Sequence, residues 1–496
     1  MRRVLPAVIF AALAASTALR SQDADLENKS RRAKEDMAAG RYADAAKLYR
    51  EMAAALPGNP GPRFNLGLAL LKEGRPAEAV TELEAVVKAQ ADSAPAWFLI
   101  GLAHQQLGEP RKAIAPLREA VRLNHADARA LLELADAELG AGEPREAIGS
   151  FETLAAGHPE MTKAWQGLGL SYAALGEFAA ERLDRIAPRS SYWYALLARE
   201  KAGLGQRAAA LSLYGEALRA SPAGLPGLHG ARAAIYTETQ HADWAAIEQQ
   251  RETQVPKPDC ARHAAACAYR DGKWAAALEE AHTTASAENL YWASLACGKL
   301  AGRSFERLAA LPESGGLHEL LAESDQRMGR RVEAVAEWRK ALALEPGDRR
   351  VEGRLAESLI RNRDYEEARR VLAPLASAQP ENADWQYLLG EALYQQRRAQ
   401  EALPHLLTAK RLRPDHLATL DVLGRVYLAL DRPKDAIGCL EQALPLDDGS
   451  LSFALYTAYR RLGKAGEARA ALARYRQFQP HGEPSGDPPE SVIPPP

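Results

Sequence analysis

The sequence predicts an all-α repeat protein, a solenoid of stacked helix pairs, and three observations carry that prediction. Alanine recurs at Ala45, Ala79, Ala113 and Ala147, and again at Ala334, Ala368, Ala402 and Ala436, each step being 34 residues. Glycine keeps the same interval at Gly74, Gly108, Gly142 and Gly176, and proline keeps it at Pro346, Pro380 and Pro414. Between these markers, large and small apolar residues fall at helical spacing. A fixed period of this length describes copies of one small supersecondary unit that bury their faces against neighbours, not one compact core.

The stretch from Ala94 to Asp127 shows the grammar of a unit. Trp97, Ile100, Gly101 and His104 lie on one face of a first helix. Leu107-Gly108-Glu109-Pro110 then breaks it, because glycine accepts the positive φ of a helix C-terminus and proline suits the first turn of the next helix. Ala113, Leu117 and Ala120 form one face of a second helix. Small residues at Gly101, Ala113 and Ala120 let the two backbones approach, while Trp97 and Leu117 fill the remaining volume. A coiled coil is excluded, since it needs a sustained heptad seam without Gly-Pro punctuation.

These residues resemble the tetratricopeptide repeat family. Trp97 matches its aromatic, Gly101 its small residue, Gly108 its inter-helix glycine, and Ala113 and Ala120 its second-helix alanines. The closing proline is replaced by His125 in this unit, but stands as Pro57, Pro159, Pro222, Pro346, Pro380, Pro414 and Pro480 in others. Units begin near Leu26, Pro60, Ala94, Ala128, Ser191, Gly315, Arg349, Ala383, Leu417 and Gly449. The resemblance covers roughly four fifths of the chain and implies a right-handed superhelix of about 12–14 helix–turn–helix units.

Regularity divides the chain. Residues 26–161 form an N-terminal array and 315–480 a C-terminal array, and 162–314 form a degenerate middle region. In the middle, the units from Thr162 and Asn289 have second helices cut short at Ile186-Ala187-Pro188 and Leu311-Pro312, and residues 225–288 should form hairpins with irregular spacing. At the front, Arg2-Arg3, the apolar run Val4–Ala15 and the small residues Ser16-Thr17-Ala18 predict an export signal over 1–18. Its apolar run is shorter than the roughly 20 residues of a membrane span, so an uncleaved anchor is the alternative. Residues 481–496, rich in Pro and Gly, offer little to bury and are expected to be a disordered tail, with a polyproline-type ligand as the alternative.

A net charge of −2 on 496 residues argues against nucleic acid as the ligand, since that binding draws on clustered Lys and Arg. No HExxH, GxSxG or GxxxxGK[ST] motif occurs. No enzyme activity, no cofactor and no small-molecule substrate are therefore expected. Cys260, His263 and Cys267 fall at i, i+3 and i+7, and Cys297 lies in the next unit. That set could bind a metal, but it matches no known spacing, and packing of single cysteines is the simpler reading. Of the possible disulfides, Cys267–Cys297 is preferred, because two helical turns would hold Cys260 and Cys267 roughly 10 Å apart.

The resemblance also implies which residues face a ligand, because in this family the first helices line the concave surface. The corresponding places in the N-terminal array hold Phe64, Leu68, Phe98, Leu102 and Leu132, an apolar set suited to an amphipathic helix or extended apolar peptide. In the C-terminal array they hold Glu323, Arg350, Glu357, Tyr387, Glu391, Tyr394 and Arg425, suited to polar peptide recognition. The family's grip on a terminal carboxylate needs Lys and Asn in one unit and a basic pair two units later; only Arg350 and Arg354 fit, so that grip is not expected. The function expected is a non-catalytic protein- or peptide-binding scaffold, exported to the periplasm or outside the cell. An assembly subunit of an envelope machine, for polymer export, pilus or outer-membrane biogenesis, is one alternative. A metal- or redox-dependent protein using the Cys/His cluster is the other.

Overall fold

A computed structural model describes residues 24–221, 225–282, 286–478 and 494–495 of the chain. Among these residues the secondary structure is helical, with no strand. The export signal predicted for residues 1–18 lies outside the described residues, as does all of the tail except Pro494 and Pro495.

Twelve helix pairs and two long single helices account for the twenty-six α-helices described. The first run comprises α1 (24–38) with α2 (Tyr42–Ala55), α3 (Pro60–Glu73) with α4 (Pro76–Ala89), α5 (Ala94–Gln106) with α6 (Pro110–Leu123), and α7 (Ala128–Gly140) with α8 (Pro144–Gly157). Gly74, Gly108 and Gly142 close the first helices with φ between 71° and 82°, the left-handed conformation that a side chain disfavours. Asn59 and Asp127 cap α3 and α7 through side-chain oxygens that accept from Gly61 N–H (2.9 Å) and Arg129 N–H (3.0 Å). The Trp97 indole N–H donates to the carbonyl of Ala91 at 2.9 Å and that of Trp165 to Pro159 at 2.8 Å, pinning each first helix to the loop before it.

Two long helices correct the reading of the middle region. The unit from Thr162 is one continuous helix, α9 (Thr162–Ile186), and the unit from Asn289 is likewise one helix, α16 (Ala287–Ala309). Gly176 does not end α9. Inter-helix glycines end helices elsewhere both where proline follows two residues later (Gly74, Gly108, Gly142) and where it does not (Gly205, Gly272, Gly329), so the Glu177-Phe178 after Gly176 does not by itself explain the continuity. Gly176 is instead buried: a Cβ there would lie 3.1 Å from the Cβ of Cys297, and one at Gly169 would lie 2.7 Å from the Phe305 ring. The missing side chains let α9 and α16 pack face to face.

The remaining pairs are α10 (Ser191–Gly203) with α11 (Arg207–Ala220), α12 (Leu228–Glu238) with α13 (Ala242–Gln254), and α14 (Ala264–Arg270) with α15 (Trp274–His282). After α16 come α17 (Gly315–Arg327) with α18 (Arg331–Leu344), α19 (Arg349–Arg361) with α20 (Tyr365–Ala378), and α21 (Ala383–Gln395) with α22 (Ala399–Leu412). The chain ends with α23 (Leu417–Ala429) and α24 (Pro433–Ala443), then α25 (Ser450–Arg461) and α26 (Ala465–Gln477).

Contact groups the chain into two compact units, each drawn from two stretches of sequence. Among the described residues, one contains 24–189 and 258–305, the other 190–257, 306–478 and 494–495. In the first, Leu66, Leu70, Leu83, Ile100 and Ala103 belong to a buried apolar cluster. In the second, a longer cluster runs from Ala322 and Trp338 through Leu372, Leu406 and Leu440 to Ala471.

The cysteines pair differently from the sequence expectation. Cys260 and Cys267 form a disulfide with their Cα atoms 5.7 Å apart, and Cys297 and Cys439 are free and buried. The 10 Å separation assumed one helix through both residues, whereas α14 starts only at Ala264 and Cys260 lies in the turn before it. The chain therefore folds back on itself. Cys297, packed against α9, is unavailable to Cys267.

Candidate functional site

In both runs the first helices of successive pairs touch one another, α3 with α5, α5 with α7, α19 with α21, α21 with α23 and α23 with α25. The first helices thus run side by side within each run, and the candidate residues lie on them.

In the N-terminal run, Phe64, Leu68, Phe98, Leu102 and Leu132 are all half-buried. Phe64, Leu68, Phe98 and Leu102 pack onto the buried cluster of that run. They are partly exposed apolar positions at the margin of the core.

The C-terminal run holds a polar row, and most of its members are engaged by neighbouring side chains. Arg350 at the start of α19 makes a two-pronged ion pair with Glu319 of α17, its Nη2 donating to Oε1 at 2.7 Å. Glu357 accepts from Arg361 at 2.7 Å and from Arg354 at 3.2 Å. Tyr387 shares a hydrogen bond with Glu391, and its ring meets His416 edge-on at 5.1 Å. Burial is the main cause that pushes the Glu391 carboxyl above the usual carboxylate range, with the charge of Asp421 adding to it. Tyr387 is pushed up by the same burial and by the Glu391 charge. Tyr394 is half-buried against the apolar cluster and is raised by desolvation as well. Arg425 donates to Asp421 at 2.5 Å and to the Ser450 hydroxyl at 2.8 Å.

Two recesses open in this unit. Glu323, Gln326, Arg327, Arg354 and Arg361 line one of about 250 Å³. There the Gln326 amide nitrogen is buried without a hydrogen-bond partner. Arg425, Ser450, Phe453, Tyr475 and Phe478 line another of about 570 Å³. Phe453 and Phe478 are each about half exposed (48% and 49%), and Phe453 meets Tyr475 at 5.2 Å between ring centres. Such a wall joins an anchored guanidinium to aromatic surface. Ser450, Tyr475 and Phe478 were not among the residues expected from sequence. Tyr475 and Phe478 come from α26 and the turn after it, and no rule about first-helix places points there.

The Cys/His cluster does not assemble as a ligand set. Both thiols nearest His263 are consumed by the disulfide, and His263 Nδ1 instead lies 2.8 Å from the Glu288 carboxylate. Among the described residues no group of three or more His, Cys, Asp or Glu side chains could hold a metal ion.

Stacked helix pairs whose first helices adjoin one another define a repeat scaffold. Models of the tetratricopeptide repeat match residues 36–101 in one case and 98–141, 132–192 and 354–416 in another. The matched stretches are tetratricopeptide repeats. A TPR repeat-containing protein of Treponema pallidum (strain Nichols) is 31% identical over 225 residues, which cover 41% of this chain and 27% of that protein. The match thus spans about a quarter of the relative's length. Among solved structures, MamA is 22% identical over 40% of this chain and 92% of its own, with a TM-score of 0.29. A thermophilic TPR protein of Thermus thermophilus is 24% identical over 33% and 91%, with a TM-score of 0.29. The Naa15/Naa10 complex bound to HypK-THB contains a chain 14% identical over 91% and 94%, with a TM-score of 0.33.

Proposed function

We propose that the chain is a non-catalytic scaffold that binds protein segments along the inner faces of its helix pairs, in an oxidising compartment outside the cytoplasm. The recess at the end of the C-terminal run carries this reading. Arg425 is held there by Asp421 and Ser450 beside the half-exposed rings of Phe453 and Phe478. A fixed guanidinium next to aromatic surface is the pairing that interface hot spots favour, with a carboxylate or backbone carbonyl as its counterpart. The polar row of Arg350, Glu357, Tyr387, Glu391 and Tyr394 continues along α19 and α21, so an extended peptide would meet charged hydrogen-bonding groups over several units. Glu323 bounds the smaller recess and would add an acidic contact.

The Cys260–Cys267 disulfide supports the exported location, because the cytosol keeps such thiols reduced. Among the described residues no helix is long and apolar enough to cross a membrane. If the signal is processed, mass spectrometry of the protein produced with its own N-terminus will find a mature chain starting close to residue 19. A start at Met1 would remove that part of the proposal.

Panning a random peptide library against the full chain tests the binding reading. Peptides with an acidic residue beside an apolar one are expected, and Arg425→Glu and Phe453→Asp should each weaken them by tenfold or more. Equal binding by both variants would refute the assignment to this recess.

A further inference from the structure

The geometry points to a polyproline-recognition notch on α12 and α13, occupied by the chain's own C-terminal Pro494-Pro495 segment. It stands apart from the inner-face proposal, since it uses none of those residues.

The Tyr236 ring is completely buried, yet its hydroxyl reaches the carbonyl oxygen of Pro494 and donates to it at 2.9 Å. The same hydroxyl accepts from Arg232 Nη2 at 3.3 Å. Arginine can only donate, so it cannot satisfy the hydroxyl hydrogen. The Pro494 carbonyl does. A buried donor left without an acceptor costs about 1–3 kcal/mol.

Behind the notch, Arg232 is fixed by Glu248 at 3.2 Å, and Glu248, fully buried, is itself held by His229 (2.6 Å) and Arg251 (2.7 Å). The guanidinium therefore cannot turn away, and the hydroxyl stays oriented toward the tail. At the rim, the half-buried Trp244 meets Tyr236 edge-on at 5.6 Å and is stacked by His241 at 4.5 Å. Pro494 is half-buried in this setting.

The chemistry fits a proline segment in particular. Polyproline has no backbone N–H to offer, its carbonyls make no internal hydrogen bonds, and it is ordered before binding, so it docks at low entropic cost. A tyrosine hydroxyl beside a tryptophan supplies the donor and flat apolar surface such a segment takes. The sequence ends Ile-Pro-Pro-Pro at residues 493–496. From Gln477, where α26 ends, a chain can span on the order of 50 Å before Pro494 at about 3.3 Å per residue. A tether of that kind gives an effective concentration of order millimolar, so an intrinsic Kd of about 100 µM would keep the notch roughly nine-tenths occupied in cis.

Fluorescence anisotropy of a labelled peptide, Glu-Ser-Val-Ile-Pro-Pro-Pro, titrated with full-length protein tests this assignment. In the variant Pro494→Gly/Pro495→Gly the notch is vacated, and the peptide should bind at least fivefold more tightly than to the wild type. Adding Tyr236→Phe, which removes only the hydroxyl, should weaken that binding by fivefold or more with an unchanged circular dichroism spectrum. If that variant loses helix content, Trp244→Ala serves in its place and should weaken binding similarly. Equal affinity for wild type and tail variant, or no binding to either, would overturn the proposal. So would a wild type that sediments as a tail-dependent dimer, because the occupant would then come from a second copy.

Discussion

At Gly101 the absence of a side chain is a packing requirement. A Cβ there would lie 2.4 Å from Leu117 Cγ, and the same approach recurs at Gly67 with Leu83, Gly390 with Leu406 and Gly424 with Leu440. Gly101→Ala should therefore lower stability by about 1–3 kcal/mol, as overpacking does. Gly149, inside α8, faces open space, and Gly149→Ala should instead raise stability by up to about 1 kcal/mol through helix propensity. Urea midpoints of the two variants check the pair, and equal shifts would contradict the packing account. Glu391 gives a pH test. Burial raises its folded pKa above the unfolded value, so the folded state binds the extra proton. Its contribution is fully present below the ordinary glutamate pKa of about 4.3 and is lost as pH rises through the raised value. Relative to Glu391→Gln, the wild type should lose urea resistance as pH climbs from 4 to 7, and parallel curves would rule this out. The left-handed residues Arg363, Arg397 and Asp431 occupy turns where the first array uses glycine, and nothing around them explains why glycine is absent.

Among the elements, the α12–α13 pair is tied together by charge. Glu248 of α13 is wholly buried between His229 and Arg232 of α12 and Arg251 of its own helix. Removing one member of such a set strands the others, so Glu248→Ala should cost about 3–5 kcal/mol. Hydrogen exchange should show the loss as faster amides in α12 and α13, with α5 and α6 unchanged. The start of α14 is fixed differently, by the disulfide that ties the turn before it to Cys267 within the helix. Burial pushes the Cys297 thiol up to about 12 and also raises Cys439, so neither is a ready nucleophile. Native protein should take up no iodoacetamide, denatured protein two groups, and reduced denatured protein four, read as intact mass. The pairing of Cys260 with Cys267 was hidden in the sequence, because the i, i+7 spacing implies a continuous helix and only the late start of α14 removes that barrier. Likewise, the fusion of α9 into one helix depends on Phe305 and Cys297, which lie more than a hundred residues away.

For the molecule as a whole, a repeat architecture makes stability a sum of local terms and neighbour interfaces. Chemical unfolding followed by circular dichroism should be broad, with a van't Hoff enthalpy well below the calorimetric one, and a single two-state transition would be inconsistent with that. The sequence by itself determined the helix–turn–helix period, the starts of units at Pro60, Ala94, Ala128, Arg349, Ala383 and Leu417, and the repeat type of the matched stretches. Those features are local: a glycine turn, a proline at a first helical position and apolar residues three and four apart act within about 34 residues. The first-helix places of the candidate residues could also be read, because they follow the period, but their burial could not. Tertiary structure alone decided that Phe64 and Phe98 sit half-buried on the core, that Arg425 shares a recess with Tyr475 and Phe478, and that Pro494 meets Tyr236. Each of these joins residues from different helices or from distant parts of the chain, where neither periodicity nor propensity acts. The 34-residue period thus specifies the units, while the places where it lapses, at Gly176, at Cys260 and at Pro494, take their form from what packs against them.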